Sequence, residues 1–199
     1  NTTGYVLRGG IYQTFGQYEN AIQDFKKVLK LNPDFASIYL ILGTVYSRLT
    51  EFDKAIDMFS VHITSNPESA TAYNNRAWAK LHIGHYYDAL QDSREAIDRD
   101  SENAFFRGTQ GTANCLLNEY DKAINDFTRA IAISDKTQIH EIELAVTYYK
   151  SGNVDGAIKT WKQALSDIFV SPTEIQEKYH FPPPFYEAMQ ELEKLANDS

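Results

Sequence analysis

Few residues of this 199-residue chain are grouped in a way that could support catalysis or metal binding. His82 and His85 are three positions apart, but two imidazoles alone make an incomplete zinc site. Cys115 is the single cysteine, and a nucleophilic thiol needs a base such as His82, an orienting group and an oxyanion hole. Of these three groups, the sequence offers a candidate only for the base. We therefore predict no catalytic residue, no metal site and no cofactor.

The composition argues against two further classes of function. The chain has 19 Lys and Arg against 27 Asp and Glu, so its formal net charge is −8. A protein that binds nucleic acid through the phosphate backbone needs a basic surface. Arg8-Gly9-Gly10 lacks the spacing of a phosphate-binding loop. No run of about 18 apolar residues is present, so we expect no direct membrane insertion.

The N-terminus gives little information about the compartment. It lacks a Met and shows no charged-then-apolar signal segment, so we expect a fragment or a processed form. A cytoplasmic location is favoured, but a targeting segment or further repeats could precede residue 1.

Small residues recur through the chain at a fixed period. Alanines lie at intervals of 34 at Ala21, Ala55, Ala89, Ala123 and Ala157. Twelve positions before each of them stands another small residue: Gly9, Gly43, Ala77, Gly111 and Ala145. Four positions after each stands a large ring in four of the five cases: Phe25, Phe59, Phe127 and Trp161. Several registers with one period indicate an internal repeat.

This pattern resembles the tetratricopeptide repeat (TPR) family, whose 34-residue unit is a helix–turn–helix. Its Leu-Gly pair matches Leu42-Gly43, and its closing proline matches Pro33 and Pro67. The matching units are 2–35, 36–69, 70–103, 104–137 and 138–171. Two departures are Lys80 and Asn114, which replace the tyrosine of the first helix in units 3 and 4. The resemblance implies an all-α, right-handed superhelical solenoid of about five units.

The residues of each unit predict two amphipathic helices, A and B. In unit 2, Tyr39, Leu42, Gly43 and Tyr46 have the i, i+3, i+4, i+7 spacing of a helix face. The glycine of helix A and the alanine of helix B allow the two helices to approach closely. Helix B of unit 3 is acidic, which predicts a solvated convex face formed by Asp88, Asp92, Glu95, Asp98 and Asp100.

Residues 172–199 break the period and form a tail. Ser171-Pro172-Thr173-Glu174 has the pattern of a capping box with Pro at N1, which predicts a helix to about Tyr179. Pro182–Pro184 predicts an extended segment, followed by a helix over about 185–196 with Phe185, Met189, Leu192 and Leu195 on one face. We predict C-terminal capping helices joined by a proline-rich connector. The alternative is that residues 180–184 are a ligand for a proline-binding module.

The resemblance also implies where partners bind, because TPR proteins commonly hold peptides or helices in a groove lined by the A helices. The groove positions of this chain are the following: Val6, Gln13, Leu40, Thr44, Arg48, Asn74, Asn75, Trp78, His82, Phe105, Thr112, Val146 and Tyr149. Trp78 and Phe105 are the expected anchors, since large rigid side chains dominate binding energy. Alternatively, both pack against neighbouring repeats or the tail.

We therefore expect a non-enzymatic scaffold or adaptor that binds a peptide or helix of a protein partner in this groove. The carboxylate clamp of some TPR co-chaperones is disfavoured, because no frame of three units keeps its cations. One alternative is an oligomerisation or regulatory module of a larger TPR protein that self-associates through its uncapped first repeat. A less favoured alternative is an RNA-binding helical repeat, which would need a basic groove.

Overall fold

The computed structural model describes residues 1–134, 138–166 and 171–198. Within these ranges the chain is all-α, and no strand occurs in them. Its helices are α1 (Thr2–Thr14), α2 (Tyr18–Leu31), α3 (Ala36–Arg48), α4 (Phe52–Ser65), α5 (Ala70–His82), α6 (Tyr86–Arg99), α7 (Ala104–Leu116), α8 (Tyr120–Ile133), α9 (Gln138–Lys150), α10 (Val154–Ala164), α11 (Pro172–Tyr179) and α12 (Pro183–Asp198). The all-α superhelical repeat expected from the sequence is confirmed.

The first ten helices form five stacked pairs. Each odd-numbered helix packs on the even-numbered helix that follows it, and each pair packs on the next pair. The odd-numbered helices also contact one another, from α3 to α5, α7 and α9, so they form one layer of the stack. This inner layer is the surface that the sequence predicts to line the groove. In the described part of the chain the buried apolar residues form three clusters along the stack, and Trp78 and Leu116 pack against two of them.

The 34-residue period has a steric basis in the contact between the two helices of a pair. A Cβ added at Gly9 would lie 2.8 Å from the Phe25 ring, and one at Gly111 would lie 2.7 Å from the Phe127 ring. At Gly43 the same atom would overlap the Phe59 ring. The recurring glycine and the recurring ring four residues after the alanine are therefore two sides of one contact.

The turns between paired helices use left-handed backbone, which favours glycine. Gly16, Gly84 and Gly152 have φ of 70°, 81° and 86°. In the other two units Thr50 and Asn118 take the same conformation, with φ of 58° and 62°. The predicted turn therefore forms in all five units, including the two without glycine.

A second contact between paired helices joins polar side chains, and it corrects one prediction. Asp92 is 5% exposed, so it does not belong to the solvated convex face predicted for helix B of unit 3. Its carboxylate accepts hydrogen bonds from Arg76 Nε and Nη2 at 2.8 and 2.7 Å, and it pairs with Lys80 at 2.7 Å. A buried carboxylate needs such partners to offset its lost hydration.

Units 1 and 4 place an aspartate at the same position with different partners. Asp24 accepts two hydrogen bonds from Arg8, which lowers the pKa of its carboxyl group. Asp126 accepts one hydrogen bond at 2.7 Å from Asn114, which carries no charge. Burial therefore raises the pKa of Asp126 to about 6. Lys80 and Asn114, which depart from the family's tyrosine, thus bind the aspartate of the facing helix.

The tail forms two helices, and its first helix begins as predicted. Ser171 and Glu174 form the reciprocal hydrogen bonds of a capping box, and α11 ends at Tyr179. The prediction of an extended segment through Pro184 is wrong, because α12 already begins at Pro183. Proline fits the first turn of a helix, where its missing N–H is not needed.

The apolar face of α12 differs from the predicted one at a single position. Phe185, Met189 and Leu192 are fully buried, but Leu195 is 39% exposed and Ala196 is buried in its place. α12 packs on α9 and α10 and also reaches α7. It therefore covers the last pair and extends onto the inner layer.

Some predictions fall on residues outside the described ranges. These are the ends of units 4 and 5, at 135–137 and 167–170, and the last residue of the tail. The five unit boundaries and the tail boundary stay predictions.

Candidate functional site

The inner layer carries a cavity of about 510 Å³ near the middle of the stack. Four odd-numbered helices, from α3 to α9, contribute to its wall, together with α4, the turn before α4 and the tail. Its lining includes Arg48 from α3, Asn74, Asn75 and Trp78 from α5, and Phe105 from α7. This volume lies in the range of about 300 to 1,000 Å³ that is typical of ligand sites.

The tail wall of the cavity is held by aromatic contacts. Phe181 is 1% exposed, and its ring lies 6.2 Å from the Trp78 ring and 5.1 Å from the Phe185 ring. The side chain of Gln176 fixes the Phe181 backbone, accepting from its N–H at 2.9 Å and donating to its carbonyl at 3.1 Å. Trp78 thus packs on the tail, as the alternative interpretation of this residue expected.

Phe105 forms the opposite aromatic wall and behaves differently. It is 59% exposed, although it lies in the first turn of α7, next to the buried Phe106. The Phe105 ring touches His140 edge-on, with 5.8 Å between ring centroids. An exposed ring beside a cavity retains free surface that a partner side chain can cover.

The deep end of the cavity holds a buried pair on α9. His140 and Glu143 are 2% and 4% exposed, and His140 Nδ1 lies 2.7 Å from Glu143 Oε2. Gly108 of α7 makes room for them, because a Cβ there would lie 2.8 Å from His140 Cε1. Within the described residues, neither His140 Nε2 nor Asn74 Oδ1 has a hydrogen-bond partner. Buried polar atoms without partners are rare, which makes this end a candidate for ligand contact.

His82 also lines the cavity but is not arranged as a metal ligand. Its ring stacks on Phe52 at 4.2 Å and meets the edge of Trp78 at 5.7 Å. Burial lowers the pKa of His82 to about 4, so the ring is neutral at pH 7. His85 is exposed at the N-cap of α6. The described residues contain no group of three or more potential His, Cys, Asp or Glu ligands.

Cys115 cannot act as the nucleophile that its sequence position could suggest. It is fully buried, and burial raises the pKa of its thiol to about 11. A hydrogen bond with Thr147 opposes this shift only partly. The thiol is therefore protonated at neutral pH, which does not suit a nucleophile.

Comparisons with known proteins agree on the type of repeat. The family model described as TPR repeat matches residues 11–49. Tetratricopeptide repeat protein 6 of Homo sapiens is 25% identical over 168 residues, which cover 83% of this chain and 31% of that protein. The crystal structure of MamA is 27% identical and covers 90% of this chain and 96% of its own, with a TM-score of 0.73.

These similarities support a protein of the tetratricopeptide repeat family. Two structures of lower sequence identity share the fold: PilW, a type IV pilus biogenesis factor, and TTC0263, a thermophilic TPR protein of Thermus thermophilus. PilW is 16% identical with a TM-score of 0.76, over all of this chain and 93% of its own. TTC0263 is 20% identical with a TM-score of 0.71, over 96% of this chain and all of its own. TPR arrays are in general non-catalytic protein-interaction scaffolds.

The TPR array brings seven of the predicted groove residues together around the cavity. They are Thr44, Arg48, Asn74, Asn75, Trp78, His82 and Phe105. Gln13 lies instead in a shallow depression between α1 and α3, which Arg48 also lines. Val6, Leu40 and Tyr149 line neither cavity, and the Tyr149 hydroxyl donates to Glu191 of the tail at 3.0 Å.

Two predicted groove residues are wrong, because they have no exposed surface. Thr112 is 0% exposed and donates to the Gly108 carbonyl within its own helix. Val146 is 0% exposed and belongs to the same apolar cluster as Phe185 and Met189 of α12. Thr112 lies in unit 4 and Val146 in unit 5, and in both units the side chain at this position packs inside the protein and is not available to a partner.

The sequence prediction missed the residues that the tail adds to the cavity. They are Gln176, Lys178, Tyr179, His180, Phe181 and Pro183. The available signal was the aromatic run Tyr179-His180-Phe181, which is unusual between a polar helix and a proline-rich segment. The tail is thus a wall of the cavity as well as a cap for the last unit.

Among the described residues, no helix is long and apolar enough to cross a membrane.

Proposed function

We propose that the chain binds an extended or helical segment of a partner protein in the groove of its inner layer. In this arrangement the partner inserts an apolar side chain into the cavity between Phe105 and Trp78. Asn74 and Asn75 bind its backbone, because an amide side chain offers both a donor and an acceptor. The tail bounds the groove at the cavity, so the segment runs from α1 towards it.

The observation that carries this proposal is the exposed Phe105 ring beside an open cavity. Phe105 is 59% exposed, while the other Phe, Tyr and Trp residues of the lining are half-buried or buried. Large apolar side chains at the edge of a concave site contribute strongly to binding when a partner covers them. The cavity has room for a side chain but not for a folded domain.

We expect Phe105→Ser to weaken partner binding at least about tenfold while leaving the fold intact, since hot-spot rings commonly contribute this much. The wild-type protein selects binders from a displayed library of random 16-residue peptides. The affinities of the selected peptides are then measured by fluorescence anisotropy for wild type and variant. Circular dichroism confirms that the variant stays folded.

Tyr87→Ser is the matched control, because Tyr87 is 74% exposed on α6 and lines neither cavity. We expect it to bind the selected peptides like the wild type. Equal losses in both variants would contradict a site at Phe105. Failure of the wild-type protein to enrich any peptide would contradict groove binding altogether.

A second candidate function is self-association through α1, and one feature of the structure favours it. Leu7 and Ile11 of α1 and Phe15 at its C-cap are 64%, 56% and 75% exposed and follow one another at intervals of four residues. The corresponding residues of unit 2, Ile41, Val45 and Leu49, are half-buried or fully buried. The exposed face therefore matches a surface that is an interface elsewhere in the stack.

For this alternative we expect the mass measured by light scattering to rise towards a dimer with concentration. Ile11→Asp should keep the chain monomeric, since a charge at the centre of an apolar interface is costly. Leu31→Asp, at a site that is 59% exposed on α2, should leave the association unchanged. A wild-type chain that stays monomeric at every concentration would exclude this candidate.

A further inference from the structure

The charges around the cavity are opposite in sign to those of the chain as a whole. The chain has a net charge of −8, but the ionised side chains that line the cavity are Arg48, Lys178 and Glu143. Glu143 is buried and its carboxylate is engaged by His140. The two cations are exposed, so the rim that a partner meets first is positive.

Neither cation is used in an ion pair among the described residues. Arg48 is at the end of α3 and lines both the cavity and the shallow depression beside α1, so it lies along the path of the groove. Lys178 lies on the tail, where its ammonium is over its neighbour Tyr179 at 5.0 Å. Burial lowers the pKa of His180, and the charge of Arg48 lowers it further, so the field of Arg48 reaches the tail.

We propose that the partner segment carries a carboxylate next to its apolar anchor, and that Arg48 and Lys178 bind this carboxylate from opposite walls of the cavity. This inference rests on the groove binding proposed above and names the chemistry of the partner. An Arg can bind a carboxylate through two parallel hydrogen bonds, and a Lys adds a compact charge. Because the chain is acidic elsewhere, these two cations at the rim of the cavity also steer acidic segments towards the cavity.

The proposed carboxylate site combines one residue of the repeats with one residue of the tail, so it cannot be recognised from the repeat units alone. Arg48 is a groove position of unit 2, whereas Lys178 is 130 positions further along the chain in the tail. The frames of the co-chaperone clamp contain neither residue. The tail therefore supplies a cation that the repeat units lack.

The test uses four pools of eight-residue peptides with acetylated N-termini and a fixed Phe at position 4. Three pools have an amidated C-terminus and carry Glu, Gln or Lys at position 5. The fourth carries Gln there and ends in a free carboxylate, which separates a side-chain source from a chain terminus. The remaining positions are randomised among Ala, Ser, Gln and Leu. Retention on immobilised full-length protein is measured by quantitative mass spectrometry.

We expect a carboxylate-bearing pool to be retained about tenfold better than the Lys pool, with the Gln amide pool between them. Arg48→Glu combined with Lys178→Glu should invert this order. Lys26→Glu combined with Lys159→Glu changes the net charge equally at exposed sites outside both cavities, so it should keep the wild-type order.

The outcomes separate this inference from the groove binding on which it rests. Equal retention of all four pools would overturn the carboxylate while supporting binding of the apolar anchor. An unchanged order in the Arg48→Glu and Lys178→Glu protein would overturn the role of these two residues. Retention of no pool by the wild type would count against both proposals.

Discussion

Gly43→Arg is expected to unfold the second pair of helices and to lower the thermal midpoint by about 10 °C or more. A Cβ at this position would overlap the Phe59 ring, which is 1% exposed and cannot move into solvent. Overpacking by a few methylene groups costs about 1 to 3 kcal/mol, and an arginine adds a charge that must be buried or displaced. In a chain of this size each kcal/mol lowers the midpoint by about 2 to 4 °C.

Gly10→Arg is the matched control for this variant. A Cβ at Gly10 meets no atom within 4 Å, although the residue lies inside α1. Replacing a helical glycine with arginine favours the helix by up to about 1 kcal/mol, so its midpoint should stay the same or rise slightly. Circular dichroism melts of the two variants give the comparison. An unchanged midpoint for Gly43→Arg would contradict the contact between Gly43 and Phe59.

The repeat could be predicted from the sequence because one steric contact recurs in it. The small residue of helix A and the ring of helix B face each other in units 1, 2 and 4, with the same separation along the chain each time. The turns were predictable for a similar reason, since left-handed backbone favours glycine at Gly16, Gly84 and Gly152. Local spacing contains the information for both features.

The composition of the site could not be predicted in the same way. Its tail wall comes from Lys178 and Phe181, which have no period to relate them to the repeats. Val146 occupies a groove position in the repeat, but α12 packs on its helix and the residue is buried. Which groove positions stay open thus depends on where the tail lies, and this placement is a tertiary contact between distant parts of the chain.

The buried aspartates lie between these two cases. In units 1 and 3 an arginine of helix A pairs with the aspartate that follows it by 16 residues, as Arg8–Asp24 and Arg76–Asp92. The corresponding residues of unit 2 are Leu42 and Met58. The charged pairs of units 1 and 3 and the apolar pair of unit 2 are visible in the sequence. It becomes interpretable only when the two positions are known to face each other across the helix pair.

Asp92→Ala is expected to destabilise the chain by about 3 to 5 kcal/mol, the second large effect that the structure predicts. Arg76 and Lys80 have side chains that are only 18% and 16% exposed, and both would lose their carboxylate partner. Two mostly buried cations would then face each other without a counter-charge. The measurement is the free energy of unfolding from urea titrations monitored by circular dichroism.

The triple variant Arg76→Leu, Lys80→Tyr and Asp92→Met tests whether charge or packing is responsible. It places in unit 3 the residues that unit 2 has at the same positions, Leu42, Tyr46 and Met58. Replacing a whole buried ionic group with apolar residues of similar volume is often neutral or stabilising, so we expect most of the loss to be recovered. A triple variant as unstable as Asp92→Ala would show that the two pairs of helices differ in shape, and that their polar and apolar contacts are not interchangeable.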